Sequence, residues 1–79
     1  MRREEVFERL NKVFRDVFDD DGITLVDATT ANDIEGWDSL MHITLMSEVE
    51  EAFHIHFEMR DVSGMKNVGE MADRIQEMV

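Results

Sequence analysis

The sequence predicts an all-α four-helix bundle with three longer helices, one short helix and a long loop between the first helix and the second. Three observations carry this: apolar residues recur at helical spacing in separate stretches, proline is absent, and no run of β-branched residues reads as a strand. Hydrophobic residues make up 43% of the chain, and at that regular spacing they favour a folded state in spite of 34% charged residues. With 79 residues the chain has room for one modest core and no deep cleft between lobes, so a single domain spanning residues 1–79 is expected.

The first helix is expected over residues 3–18, where Val6, Leu10, Val13, Phe14 and Val17 share one face and Phe7 and Phe18 flank it. It should stop at Asp19-Asp20-Asp21-Gly22, where acidic side chains oppose the negative end of the helix dipole and Gly22 offers a left-handed exit. From Ile23 to Asp38 no period is sustained, and a connection pinned by Ile23, Leu25, Val26 and Ile34 is expected. A loop that long in so small a domain is more often functional than idle.

Residues 39–54 form the second expected helix, with Asp38 as N-cap and Leu45, Met46, Val49, Ala52 and Phe53 on the core side. A brief helical turn follows at Met59 to Ser63 and breaks at Gly64. Asn67 with Glu70 three residues on resembles a capping box, after which Val68, Met71, Ala72, Ile75 and Val79 repeat on one face of a closing helix.

Nineteen acidic residues against 8 basic ones leave a formal charge of -11, a field that repels nucleic acid and anionic membranes and attracts basic protein surfaces. Without cysteine there is no disulfide, no thiolate metal site and no thiol nucleophile, which suits a reducing compartment. Arg2 and Arg3 lead straight into an amphipathic pattern with no apolar stretch, so neither a signal peptide nor a membrane span is expected and a cytoplasmic location is. Self-repulsion at this charge favours a monomer.

Opposite its core side, the second helix carries Leu40, Ile43, Ser47, Glu50, Glu51 and His54. Ser39 stands at the first turn, where free amides and the positive dipole end stabilise an attached phosphate. By its position alone Ser39 is either an ordinary helix-start residue or a modification point, and the glutamates are either a solvated face or a recognition surface.

Gly36-Trp37-Asp38-Ser39-Leu40, after a long loop and opening a helix that ends Glu50-Glu51-Ala52-Phe53, resembles the attachment motif of acyl carrier proteins, with Asp-Ser-Leu as its signature. The resemblance extends over nearly the whole chain and implies an acyl-carrier-like bundle, here a freestanding type II carrier. It implies that Ser39 receives 4'-phosphopantetheine from coenzyme A through a phosphopantetheinyl transferase, with Asp38 and Leu40 flanking the arm. The arm brings the thiol that the chain lacks and holds acyl groups as thioesters, so the protein is a carrier with no catalytic residue of its own.

Recognition by an acyl ligase, ketosynthase or acyltransferase with a basic surface is then expected through Leu40, Ile43, Ser47, Glu50 and Glu51. Thr44 departs from the acidic residue common in carriers of fatty acid synthesis, and His42 and Ser47 also thin the charge. Trp37 resembles carriers of polyketide-like or surface-modifying pathways; structurally, an indole there plugs the top of the bundle or meets cargo. Six methionines after the first residue fill the core or soften it enough to admit an acyl chain.

Two other classes stay open: an aminoacyl or peptidyl carrier, and an unmodified acidic interaction module docking through Leu40 and Ile43. A hydrolase built on Asp38, Ser39 and His42 lacks a nucleophile elbow and an enclosing pocket. His54, His56 and Glu58 form a weak metal pattern, and Val17, five places before Gly22, stands where an EF-hand loop needs its first Asp, so no metal site is expected.

Overall fold

Val6, Leu10 and Phe14, spaced one helical turn apart, build the first helix α1 over Arg3–Val17, and all three side chains are completely buried. In the computed structural model, which describes residues 1–79, α2 spans Ser39–Phe53, α3 Met59–Gly64 and α4 Val68–Met78. Helix α1 packs against both α2 and α4. Fifteen buried apolar residues from all parts of the chain except α3 itself form one core, closed at its α3 side by Phe57 and the half-buried Val62.

The end of α1 differs from the expected glycine exit. Asp19, with φ of 50°, is the left-handed residue, and the Asp20 N–H donates to the Arg15 carbonyl at 3.0 Å, which closes the last turn. Aspartate tolerates this conformation because its short polar side chain bonds locally; Gly22 serves instead as the amide donor to Asp20 Oδ1 at 2.9 Å.

In the following loop, Ile23, Leu25 and Ile34 are buried as expected, but Val26 is 58% exposed and pins nothing. Hydrogen bonds do the remaining work: Asn11 Oδ1 accepts from the Leu25 N–H at 2.7 Å and Arg15 Nε donates to the Ile23 carbonyl at 2.7 Å. The Thr29 and Asp27 carbonyls then accept from the Val68 and Gly69 N–H groups at 2.8 and 2.9 Å. The loop thereby satisfies two of the amides that open α4. Arg3 reinforces the junction, reaching Asp27 at 2.6 Å and Asp73 at 2.7 Å, and these partners, Asp27 first, raise its pKa above the ordinary arginine value.

A short 3-10 turn at Ala31–Asp33, unforeseen in the sequence, is held by Asp33 Oδ2 accepting from the Thr30 N–H at 2.9 Å. Helix α2 begins as expected, with Asp38 Oδ1 accepting from the Met41 N–H at 2.8 Å, and it ends at His54 in the left-handed conformation. Asp61 is buried: it accepts from the Glu58 N–H at 3.0 Å and pairs with Arg74 at 2.8 Å, which ties α3 to α4.

At the start of α4, Asn67 Oδ1 accepts from the Glu70 N–H at 2.9 Å. The reciprocal bond of the expected capping box is replaced, because Glu70 Oε2 reaches the Lys66 N–H at 2.7 Å instead. Val79 also departs from expectation: it lies beyond the last turn and is exposed.

Candidate functional site

Ser39 is the first residue of α2 and is exposed, and its hydroxyl makes no hydrogen bond within the protein. Asp38 occupies the inner amides of the turn: its side chain takes the Met41 N–H and its carbonyl the His42 N–H at 2.9 Å. The N–H groups of Ser39 and Leu40 keep no protein acceptor and sit at the positive end of the helix. An anion esterified to Ser39 would meet these two donors.

Beside Ser39 opens a groove of about 360 Å3. Trp37 and His42 form one wall, Met65, Lys66 and Asn67 the other, and buried Met71 lies at its base. Lys66, in no ion pair, puts a positive charge in the same groove as Ser39 in a strongly acidic protein. The Trp37 Nε1–H donates to His42 Nδ1 at 3.0 Å, which leaves the neutral imidazole its proton on Nε2, 3.4 Å from the Val62 carbonyl. The indole also stands edge-on to Phe14, 5.2 Å between ring centres, and stacks on the His42 ring at 18°.

Leu40 and Ile43 project into solvent, 75% and 68% exposed, and Ser47 and Glu51 are exposed with them. Glu50 departs from the expected outer face. Its side chain, 26% exposed, accepts from the Phe57 N–H at 2.7 Å and pairs with His56 at 3.1 Å, because the chain folds back beyond α2 and leaves the Phe57 amide needing an acceptor. Met59, 86% exposed on α3, adds an apolar side chain to the surface that the helical pattern did not single out.

An open hydroxyl on a helix tip, two free amides, a cation opposite and no competing protein partner fit a covalently attached phosphate ester. Residues 8–75 match the family described as phosphopantetheine attachment site. The chain belongs to that family. A solution NMR structure of the holo acyl carrier protein from Geobacter metallireducens is similar to it, with a TM-score of 0.85 and 42% identity over 91% of this chain and 83% of that one. No curated protein matches the chain.

Acyl carriers of this family hold a covalent 4'-phosphopantetheine and act as substrates of the phosphopantetheinyl transferase and of acyl-processing enzymes. The four helices and the absence of any strand agree with the carrier fold. Trp37, His42 and Ser39 share one end of α2 and could be grouped from the sequence, since Ser39 and His42 are one turn apart. Met65, Lys66, Asn67 and Met71 reach the groove from the far end of the chain, and no local pattern announces them.

Proposed function

We propose that Ser39 is the attachment residue of this carrier, that residues 1–79 act as one monomeric cytoplasmic carrier domain, and that its cargo belongs to a specialised acyl pathway. The observation that carries the first part is the exposed, unbonded Ser39 hydroxyl beside two unpartnered amides. Ser39 Oγ would hold the phosphate as an ester after displacing adenosine bisphosphate from coenzyme A, the Ser39 and Leu40 N–H groups would face the anion, and Lys66 in the same groove would add a positive charge. When bound, the arm supplies a terminal thiol that keeps an acyl carbonyl electrophilic and carries it beyond the protein surface.

The face beside Ser39 supports recognition by an acyl ligase, ketosynthase or acyltransferase through exposed Leu40 and Ile43. Exposed Glu48 and Glu51 steer basic partner surfaces toward this helix. Thr44 and Ser47 are exposed and uncharged, and Glu50 is drawn inward, so the acidic field on α2 is thinner than its sequence suggests. That thinning supports partners outside primary fatty acid synthesis.

Incubation with coenzyme A and a broad-specificity phosphopantetheinyl transferase is expected to add one phosphopantetheine mass in an intact-mass spectrum, and Ser39→Ala is expected to abolish the addition. Failure to add the mass, or addition that survives Ser39→Ala, removes the assignment.

A further inference from the structure

We propose that Trp37 is a specificity-determining residue that bars the route from the groove to the bundle core, so that this carrier leaves a long saturated chain outside the core, as accessible as a short one. The inference rests on attachment at Ser39 and deepens it by saying where the chain of the cargo lies.

Trp37 lies between the groove and the core. It lines the groove on one side, and on the other it meets the completely buried Phe14 edge-on, with Phe18 tilted against it at 6.2 Å. Its N–H is held by His42 at 3.0 Å, and His42 in turn faces the Val62 carbonyl at 3.4 Å, so the same side chains that block the passage also lace α2 to α3. A chain entering between these helices must part that lacing, displace the indole from Phe14 and leave a half-buried N–H and carbonyl without partners.

Nothing behind the indole invites entry. Leu45, Val49 and Ile75 are completely buried, Met71 at the base of the groove is nearly so, and no buried side-chain polar atom lacks a partner. Of the methionines, Met46 and Met71 are buried in the core, Met41 and Met65 are half-buried, and Met59 and Met78 are exposed. The groove itself is open and mixes Ala31, Met65 and Met71 with His42, Lys66 and Asn67, so a cargo lying along it stays accessible to solvent.

Butyryl- and decanoyl-phosphopantetheine are loaded on Ser39 from the corresponding acyl-coenzyme A by the transferase, which forms the serine phosphodiester and releases the adenosine bisphosphate. Intact mass confirms loading. In the wild-type protein the two thioesters are expected to react with hydroxylamine at rates within about twofold of each other, with equal Tm. Trp37 is the single tryptophan and tyrosine is absent, so intrinsic emission reports on this wall alone and should be the same for both cargoes.

In Trp37→Leu the decanoyl thioester is expected to react several-fold more slowly than the butyryl one and to raise Tm. Trp37→Phe, which keeps an aromatic ring toward Phe14 but cannot donate to His42, is expected to show a smaller slowing and stands in if the leucine variant does not fold. Protection of the decanoyl thioester in the wild type overturns the inference, as does a loaded, folded Trp37 variant that gives no protection. Absence of loading in the mass spectrum removes the Ser39 assignment itself, and this inference with it.

Discussion

Gly69, in the first turn of α4, has no room for a side chain: a Cβ there would lie 2.9 Å from the Asp27 carbonyl oxygen. Glycine to alanine inside a helix ordinarily gains about 0.5–1 kcal/mol. Here the obstacle is backbone, fixed by the Gly69 N–H bonding that same carbonyl at 2.9 Å, so the added methyl must push the loop off the helix. An overpacking cost of about 1–3 kcal/mol outweighs the propensity gain. Gly69→Ala is therefore expected to lower Tm by roughly 4–8 °C, the shift that about 1 kcal/mol makes in a domain of this size, as read by calorimetry. An unchanged or higher Tm would show that the loop yields freely. No local pattern in the sequence marks Gly69, because Asp27 lies far from it along the chain. That Ser39 stands at a helix tip was legible for the opposite reason, since such a tip is set by its nearest neighbours.

Helix α2 owes its start to Asp38, whose carboxylate holds the Met41 N–H at 2.8 Å. Replacing it by alanine leaves that amide without its cap, a loss of about 1 kcal/mol for N-caps of this kind. Asp38→Ala is expected to lower the urea midpoint at constant m-value, and Asp38→Asn to restore most of it; equal midpoints for Ala and Asp would deny the cap any role. The turn that frays first is the one carrying Ser39. Helices α1, α2 and α4 lie within a residue of where apolar spacing and caps put them, because both are local signals. Their exits were less legible: Asp19 and His54 take the left-handed conformation that sequence reasoning reserves for glycine, each stabilised by backbone bonds to the preceding turn. Glu50 likewise carried a surface pattern and was claimed by the Phe57 amide once the chain turned back.

For the molecule as a whole, a net charge of -11 spread over 28 × 25 × 22 Å makes self-repulsion a standing cost of the folded state. The Debye length falls from about 30 Å at 0.01 M salt to about 3 Å at 1 M, that is, from the span of the whole molecule to less than one side chain. The ion pairs that salt would weaken are mostly exposed and contribute little each, so relief of repulsion is the larger effect. Tm is expected to rise by several degrees across that range in a thermal scan; a fall would mean that the Arg3 and Arg74 pairs dominate. The same screening is expected to slow association with a basic partner, since the field that strains the fold also steers the encounter.

The sequence by itself determined the helical class, the placing of the three longer helices, the sign of the field and a serine at a helix tip, all of which follow from spacing, capping and charge within a few residues. Only the tertiary structure decided what surrounds that serine. The groove joins Trp37 and His42 to Met65, Lys66 and Asn67, and the opening of α4 is completed by carbonyls of the first loop. These depend on which distant surfaces meet when one shared core is buried, and that choice belongs to the packing of the whole chain.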